Sequence, residues 1–545
     1  MRKLDASEKE KISKTIAPLL KKRELVALCA YGSQVAGYAT EGSDYDVIVV
    51  TKPFSQRIKY YYLKDEVECA ALLVDPKSFE NDCNKSSLGE FVSGRLLNVH
   101  EPLQGSAFLK RNEIAYKKHV ILEALSEAYA EYMEFTTAIS FPLSYFLFEK
   151  LRKRAAIYPP VVYSYARTYS EELLNENLGQ SLEGFRDAAK ELVKEGVIEL
   201  QEDLVSVSPQ AFRGGLSARI GAAASFTNKS LRQYAIHGYA GRVRPEVVGK
   251  EVLSKISRSK KAGKLPEHIS NPKKDWSIGS GRLFVASDDW LTDLATSLQL
   301  EQLTLDISSG ALGEFYNSAS FYTLKDASKS HTIAVKRFND IKGMKWGVLS
   351  LWSLRAANFT ANPMQRLFRE YKAKQEFAKF GLSTPRVLAI FLSQRMMVTD
   401  FIHGIDLSRI ETNYLDGVSE ECGPITRFGH ELALLHNNNY CMGDTKPSNA
   451  ILAEGDGKIY FTDLEQAVPG GNKVWDVAEF IYYSVRFTLK EERARKLVRA
   501  FAEGYSERAE DKTVLRRAYG LRYRAPFQAF VAPNILSALR RDLEL

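Results

Sequence analysis

The spacing of hydrophobic residues predicts that the chain alternates between buried strands and amphipathic helices. Leu4, Ile12 and Ile16 recur among charged residues near the N-terminus, as they would on one face of a helix. Unbroken apolar runs at 25–31 and 47–50 then predict two buried strands. Both kinds of spacing continue through the rest of the chain, so the predicted fold class is multidomain α+β.

The middle of the chain, from about residue 111, has a mainly helical pattern. Helices are predicted at 141–156 and at 181–196, the latter beginning at a capping-type serine and ending at a glycine. Two short strand-like runs follow, at 197–200 and 204–207. Helix, glycine and β-ribbon together resemble a winged helix. The helix mixes acidic and basic residues, which suits a structural or protein-contact role better than binding to a phosphate backbone.

The last part of the chain alternates again. Strands are predicted at 318–324 and 332–336, and a helix at 365–377. Gly310 and Gly313 precede the first of these strands, but they fall short of a complete glycine-rich loop over a phosphate.

The composition is that of a folded protein with several hydrophobic cores. The chain has 545 residues, of which 45% are hydrophobic and 26% charged. None of its apolar runs reaches the ~18 residues needed to span a bilayer, and the N-terminal helix lacks the apolar core of a signal peptide. We therefore expect a cytoplasmic protein. The five cysteines are scattered and never spaced as C-x-x-C, so neither disulfides nor a structural zinc site is expected.

Charge is distributed unevenly along the chain. The net charge is +8, and basic residues with few balancing acids accumulate at 210–285. Such a run is typical of a solvated linker, or of a patch that guides RNA or an acidic protein. Aromatic residues within it are too sparse to form a platform on which bases stack.

The first candidate site lies between the two N-terminal strands. Gly32 and Ser33 turn the chain after the first strand, and Asp44 and Asp46 follow at the start of the second. Residues two apart on a strand share a face, so both carboxylates can bind a pair of divalent cations. The turn offers backbone N–H groups and a hydroxyl to triphosphate oxygens. A solvated turn with chance acidic residues is the alternative.

The complete pattern, GSxxxGxxxxxSDxDxxV, resembles the DNA polymerase β superfamily of nucleotidyltransferases, in its minimal or aminoglycoside-modifying form. The resemblance implies a third carboxylate on the following strand, and Glu68 is preferred over Glu66 for this role of metal ligand or base. It also implies in-line attack on the α-phosphate of an NTP with Mg²⁺ or Mn²⁺ bound, and release of pyrophosphate. A nucleotidyltransferase fold without activity would keep the same pattern.

The second candidate site lies near the C-terminus. Asn449 follows Asp444 by five residues, and Asp463 comes after a short apolar strand. This spacing is typical of a phosphotransfer site. The block resembles the protein-kinase-like superfamily, whose patterns HRDLKPxN and DFG read MGDTKPSN and TDLEQ here. The resemblance implies that Asp444 accepts or orients the proton of the substrate hydroxyl. It further implies that Asn449 and Asp463 bind Mg²⁺ and that Lys446 neutralises the moving γ-phosphate.

Residues upstream of this block extend the resemblance. Lys336 ends a predicted strand and looks like the lysine with which kinases bind the ATP phosphates. Glu370, on the next helix, is its expected carboxylate partner, and ordinary surface pairing of Glu370 with Lys374 is the alternative. The helix, Gly381 and Thr384-Pro385 mirror the pattern of the RIO and KEOPS-complex small atypical kinases.

Two residues around the block have expected structural roles. Asp476 resembles the aspartate that braces the catalytic loop of kinases. His436 is expected to be a packing or loop residue, because it precedes Asp444 by too many positions to replace the usual histidine. The short stretch after Asp463 makes activation by loop phosphorylation unexpected.

Four segments and a leading function follow from these patterns. We expect a nucleotidyltransferase domain at 1–110, a helical and winged-helix-like domain at 111–209, a basic linker at 210–285 and a bilobal protein-kinase-like domain at 286–545. Lys446 is typical of Ser/Thr kinases and favours an ATP-dependent protein kinase with a protein substrate. Its fused nucleotidyltransferase would act on protein or RNA (tRNA). The alternatives are a bifunctional small-molecule (aminoglycoside-like) phospho- and nucleotidyltransferase and a nucleotide-bound regulatory scaffold.

Overall fold

The computed structural model describes residues 2–208, 211, 264–300, 304–306, 319–325, 330–339 and 360–541. The chain divides into an N-terminal unit, Met1–Glu131 with Ile139–Ser277, and a C-terminal unit, Tyr132–Ala138 with Ile278–Leu545. Most of the predicted basic linker lies outside the described residues, and so do Gly310 and Gly313. Within the described ranges, every helix is too short or too polar to cross a membrane.

The N-terminal unit opens with a five-stranded sheet and its helices. Its elements are α1 (Ala6–Ile16), β1 (Glu24–Tyr31), α2 (Ser33–Ala36), β2 (Tyr45–Lys52), β3 (Ile58–Lys64), β4 (Glu68–Val74), α3 (Pro76–Lys85) and β5 (His100–Gln104). The strand order is β3-β4-β2-β1-β5, with β2 and β4 parallel and the other pairs antiparallel.

One face of this sheet forms a core with α1. Val47, Val49 and Leu73 on the sheet are fully buried together with Ile12 and Ile16 on the helix. Because side chains alternate along a strand, the even-numbered residues of β2 point to the other face. The short N-terminal helix begins with a capping box, in which Asp5 and Glu8 each accept a hydrogen bond from the other's backbone N–H.

Helices dominate the rest of the N-terminal unit. They and their strands are α4 (Ser106–Tyr132), β6 (Ile139–Pro142), α5 (Leu143–Ile157), α6 (Val162–Thr168), α7 (Leu174–Lys194), β7 (Ile198–Gln201), β8 (Leu204–Val207), α8 (Glu267–Ser270) and β9 (Ser277–Ile278). The helix and β-ribbon expected at 181–207 are present, and β8 also pairs with β6.

The start of the ribbon helix was predicted wrongly. The helix α7 begins at Leu174, seven residues before Ser181, so Ser181 is not its cap. Instead, the buried Ser181 hydroxyl lies 3.0 Å from the Tyr169 hydroxyl, and its carbonyl accepts a hydrogen bond from Lys117. A buried serine with such partners has the sequence appearance of a cap but serves packing.

The C-terminal unit begins with a six-stranded sheet. Its elements are β10 (Arg282–Phe284), α9 (Trp290–Ser297), β11 (Thr304–Asp306), β12 (Ala319–Lys325), β13 (Ser330–Arg337), α10 (Pro363–Lys379), β14 (Val387–Phe391) and β15 (Met396–Asp400). The strand order is β10-β14-β15-β13-β12-β11. Lys336 lies near the end of β13, one of the central strands of this sheet, and pairs with Met397 on β15.

The remainder of the C-terminal unit is mainly helical, with two small sheets. It comprises β16 (Gly404–Asp406), α11 (Leu407–Asp416), α12 (Gly423–Asn437), β17 (Tyr440–Cys441), β18 (Ala450–Ala453), β19 (Ile459–Phe461), β20 (Val468–Pro469), α13 (Lys473–Ser484), α14 (Glu491–Arg508), α15 (Thr513–Ala518), α16 (Leu521–Arg524) and α17 (Pro533–Arg541). The small sheets have the orders β16-β18-β19 and β17-β20.

Close packing of α12 against α14 forms the core beneath the second candidate site. Phe428, Phe480 and Phe501 stack, with ring centroids 4.6 and 4.5 Å apart in succession. Gly504 allows the two helices to approach, because a Cβ at this position would lie 2.0 Å from the Thr426 carbonyl oxygen.

Candidate active sites

The turn after β1 is shaped by the aspartate across from it. Gly32 has φ +81°, and a Cβ there would lie 2.4 Å from Asp46 Oδ2. Glycine is therefore required both by the backbone conformation and by the nearby carboxylate. Ser33 opens α2 directly after this turn. The structure thus brings the predicted Gly32, Ser33 and Asp46 together.

The remaining predicted carboxylates lie along the same sheet face. Asp44 immediately precedes β2, and Asp46 is paired with Ala70 on β4. This register places Glu68, two residues before Ala70, level with Asp44. Glu68 is exposed and forms an ion pair with Lys64, whereas Glu66 lies 3.6 Å from Lys14. Of the two, Glu68 is the one on the face of the aspartates.

An arginine that carries no motif lies beside this site. Arg95 donates hydrogen bonds to the hydroxyls of Tyr31 (3.1 Å) and Tyr60 (2.6 Å). Burial, and then the neighbouring Tyr60, raises the pKa of Tyr31. Arg95 follows a turn whose backbone N–H groups converge on the buried Asp82 carboxylate, which accepts four of them. Nothing in the sequence around Arg95 indicated this position.

In the C-terminal unit, Lys336 is surrounded by three carboxylates. Its ammonium lies 2.7 Å from Glu370 Oε2 and 3.3 Å from Glu465 Oε2, and it contacts Asp463 Oδ1. One oxygen from each of the three acids lies within 4.8 Å of the others. Burial favours the neutral amine, but the charges of Asp463 and Glu370 outweigh it and hold the pKa of Lys336 well above its usual range.

Sequence reasoning missed Glu465, although it named the other two acids. Glu465 is buried, and Arg366 Nη1 lies 3.2 Å from its Oε2. Burial raises the pKa of Glu465 against the opposing charges of Lys336 and Arg366. The signal was available in TDLEQ, where an acid occupies the position of the glycine in DFG.

The predicted catalytic loop is folded around Asp444. Lys446 Nζ lies 2.5 Å from Asp444 Oδ1, and Asn449 Nδ2 donates a hydrogen bond to the Asp444 carbonyl at 2.9 Å. The oxygen of the Asn449 amide is therefore turned away from the loop backbone. Burial disfavours the charged form of Lys446, but Asp444 and Glu479 outweigh it and raise the pKa of Lys446.

The loop is braced from below by Asp476. Its carboxylate accepts hydrogen bonds from the backbone N–H groups of Met442 (2.7 Å) and Gly443 (2.9 Å). His436 Nε2 lies 3.2 Å from the same carboxylate, and its Nδ1 lies 2.7 Å from the Tyr505 hydroxyl. His436 is buried, as expected of a packing residue, and it also contacts the carboxylate of the brace. The sequence did not reveal this contact, because it forms only when the chain turns after α12 and brings the loop back over His436.

Both sites have donor sets that suit hard divalent cations. Carboxylate and amide oxygens are the ligands that Mg²⁺ prefers. Asp44 and Asp46 would hold such ions in the N-terminal unit, and Asn449 with Asp463 in the C-terminal unit. The turned amide of Asn449 and the left-handed backbone of Asp463, at φ +52°, agree with a ligand role for these two residues.

Comparison with known proteins identifies the N-terminal domain. Residues 11–93 match the family model described as a nucleotidyltransferase domain. No curated protein sequence matches the chain. The protein is a transferase with a nucleotidyltransferase domain, as its motif predicted.

Solved structures of kinase-like proteins also resemble the chain. A Plasmodium vivax ethanolamine kinase is 15% identical over 53% of this chain and 86% of its own, with a TM-score of 0.28. An aminoglycoside-3′-phosphotransferase of type VIII is 13% identical over 43% and 98%, with a TM-score of 0.24. The Mycobacterium tuberculosis PknI kinase domain is 14% identical over 40% and 96%, with a TM-score of 0.22. Similarities this low say nothing about substrate. The predicted multidomain α+β fold class is confirmed.

Proposed function

We propose that the protein is a bifunctional transferase. Its C-terminal unit would transfer the γ-phosphoryl group of ATP to a Ser or Thr hydroxyl of a protein, as an atypical kinase of the RIO and KEOPS type. Its N-terminal domain would transfer a nucleotidyl group from an NTP to RNA or protein. The observation that carries the kinase assignment is the cluster of Lys336, Glu370 and Asp463 in one unit with Asp444 and Asn449.

Each side chain of the kinase site has a chemical task. Asp444 would orient the acceptor hydroxyl and receive its proton as the oxygen attacks the γ-phosphorus. Lys446, held beside Asp444, would compensate the negative charge that develops on the transferred group. Lys336 would supply positive charge to the other phosphates, with Glu370 fixing the position of its ammonium. A Mg²⁺ ion bound by Asn449 and Asp463 would screen the ATP phosphates.

The nucleotidyltransferase site would work by a single displacement. An acceptor oxygen attacks the α-phosphorus, the bond from that phosphorus to the bridging oxygen breaks, and pyrophosphate leaves. The turn at Gly32 and Ser33 would bind the triphosphate through backbone N–H groups and the serine hydroxyl. Asp44 and Asp46 would hold divalent cations that stabilise the attacking and leaving oxygens.

A second candidate function has one observation in its favour. Only residues 464–472 separate Asp463 from α13, so a long activation segment, such as protein kinases place beside their peptide substrate, is lacking in this described stretch. A small-molecule acceptor of the aminoglycoside type needs no such segment. The side chain that favours a protein acceptor is Lys446.

The test is an incubation with Mg²⁺ and ATP labelled at the α- or the γ-phosphate. Casein and kanamycin, offered separately, serve as the protein and small-molecule acceptors. We expect γ-label on casein, abolished by Asp444→Ala and Asp463→Ala but retained in Asp46→Ala. The γ-label on kanamycin alone would select the second candidate, and transfer that survives both kinase substitutions would refute the site itself.

A further inference from the structure

The chain forms a tight turn shortly after Asp463. Glu465 and Gln466 are its central residues, and the Ala467 N–H closes it by donating a hydrogen bond to the Leu464 carbonyl at 3.0 Å. Gln466 is only 2% exposed, although its side chain is polar. The proposed phosphoryl transfer gives Gln466 no task, so the partners of its buried amide need an explanation.

The Gln466 side chain bonds both backbone groups of a single distant residue. The Thr360 N–H donates to Gln466 Oε1 at 2.9 Å, and Gln466 Nε2 donates to the Thr360 carbonyl at 3.1 Å. A primary amide can make this double contact because it carries a donor and an acceptor side by side. Thr360 is buried as well, so loss of the amide would leave two backbone groups without partners away from water.

Thr360 lies just before α10 and is fixed to the first turn of that helix. Its hydroxyl donates a hydrogen bond to the Gln365 side chain, and Asn362 caps the helix by accepting the Gln365 N–H at 3.1 Å. Through Thr360, the Gln466 amide therefore holds the beginning of α10.

Glu465 holds the same end of α10. Its Oε2 lies 3.2 Å from Arg366 Nη1. Glu370 comes four residues after Arg366, one turn further along the helix, so the two side chains share a face. Glu370 Oε2 lies 2.7 Å from the ammonium of Lys336. The placement of the first turn of α10 thus determines where Glu370 can hold Lys336.

The backbone of Gln466 packs against the catalytic loop. A Cβ at Gly443 would lie 2.6 Å from the Gln466 carbonyl oxygen, and Gly443 has φ +74°. Gly443 immediately precedes Asp444. Gln466 therefore contacts the catalytic loop with its backbone and the segment before α10 with its side chain.

We infer that Gln466 is a positioning residue of the kinase site, which ties the start of α10 to the catalytic loop and acts through Glu370. With its amide in place, Glu370 keeps the Lys336 ammonium at a fixed distance from Asp444, the group on the other side of the transferred phosphate. Without it, α10 can shift and Lys336 loses its place. The inference rests on the proposed phosphoryl transfer.

The experiment uses the full-length protein, Mg²⁺ and γ-labelled ATP, with casein as acceptor, or kanamycin where kanamycin is the acceptor that becomes labelled. Gln466→Met nearly keeps the volume of the side chain and removes both hydrogen bonds. We expect kcat to fall about tenfold at an unchanged KM for the acceptor, because small displacements of groups around the phosphates are costly. Gln394→Met is the matched control. It removes a hydrogen bond from Gln394 Nε2 to the Ser287 carbonyl, 3.2 Å long, in the same unit, and should leave kcat unchanged.

A second comparison separates positioning from a role in stability alone. Glu370→Gln removes the carboxylate through which Gln466 acts. In this background Gln466→Met should lower kcat less than about twofold, because changes along one chain of contacts are not additive. A role in stability alone would lower kcat by the same factor in both backgrounds. Gln466→Asn, whose amide is one methylene too short to reach Thr360, takes the place of Gln466→Met if that variant does not fold.

The outcomes separate this inference from the function on which it rests. A loss of kcat that disappears in the Glu370→Gln background supports the inference. An unchanged kcat, or an equal loss with and without the Glu370 carboxylate, overturns it and leaves the proposed kinase activity in place. The proposed activity itself fails if the wild-type protein labels neither casein nor kanamycin, or if labelling survives Asp444→Ala.

Discussion

The two candidate sites are held in place in different ways. The nucleotidyltransferase site is local, since Gly32 and Asp46 are set by one turn and the pairing of two neighbouring strands. The kinase-like site collects Lys336, Glu370 and Asp463 from distant parts of the chain. A local site depends on backbone conformation, whereas a dispersed site depends on buried side-chain contacts.

The sites also differ in how their acidic groups are neutralised. The carboxylates of the kinase-like site surround the ammonium of Lys336, which balances part of their charge. In the N-terminal site, bound divalent cations would balance part of the charge of Asp44 and Asp46. Divalent ions should therefore bind directly to the carboxylates of the N-terminal site. At the C-terminal site they should replace Lys336 as the partner of the carboxylates.

The largest expected effect separates the two chemistries. Asp444→Asn removes the carboxylate that we propose accepts the hydroxyl proton, and γ-label transfer should fall about 10²–10⁴-fold. Transfer of α-label should remain at the wild-type rate, because Asp444 belongs to the other unit. Asp456→Asn, an exposed aspartate of the same unit, is the control. A parallel loss of both labels in Asp444→Asn would contradict two independent sites.

The next effect is on stability and tests the difference in charge balance. Lys336→Met leaves three neighbouring carboxylates without their shared cation, and should reduce the free energy of unfolding of the C-terminal unit by about 3 kcal/mol in metal-free buffer. Added Mg²⁺ should restore part of the loss by binding the folded state. Asp44→Asn should cost far less under the same conditions, since it removes one of two neighbouring carboxylates of like sign, the one just before β2. Denaturant unfolding with and without EDTA measures both, and equal losses would refute the contrast.

A smaller effect tests the local character of the N-terminal site. Gly32 and Gly42 have almost the same positive φ, +81° and +82°, but only a side chain at Gly32 would meet Asp46. Both alanine substitutions should cost about 1–3 kcal/mol of backbone strain, and Gly32, at ψ −158°, occupies a region that is essentially restricted to glycine. Only Gly32→Ala should also lower α-label transfer, about tenfold, by displacing the carboxylate. Equal activity of Gly32→Ala and Gly42→Ala would show that Asp46 tolerates the displacement.

Sequence patterns predicted the local site more fully than its surroundings. A single short motif contains Gly32, Ser33, Asp44 and Asp46, so the sequence alone indicated that they form one site. Arg95 reaches this site through hydrogen bonds to Tyr31 on β1 and Tyr60 on β3, which no spacing in the sequence records. Fold class was predictable because hydrophobic periodicity reports burial, element by element.

The dispersed site was predictable only where each of its parts carries a motif of its own. Lys336, Glu370 and Asp444 each lie in such a segment. Glu465 and His436 acquire their contacts from tertiary packing, Glu465 at Arg366 and His436 beneath the catalytic loop. The start of α7 was misplaced for the same reason, because a buried serine and a capping serine look alike in sequence.

The smallest expected effect concerns the brace beneath the catalytic loop. Tyr505→Phe removes the hydroxyl 2.7 Å from His436 Nδ1 and keeps the ring, so it should cost about 1 kcal/mol of stability. If His436 positions Asp476, and through it the backbone at Met442 and Gly443, kcat for γ-label transfer should also fall several-fold at unchanged KM for ATP. Tyr482→Phe is the matched control. The Tyr482 hydroxyl donates a hydrogen bond to the Ala518 carbonyl at 3.5 Å and takes no part in the contacts of His436 and Asp476. A loss of stability with unchanged kcat in Tyr505→Phe would show that His436 has only a packing role. The residues that position the catalytic loop would then include Asp476 but not His436.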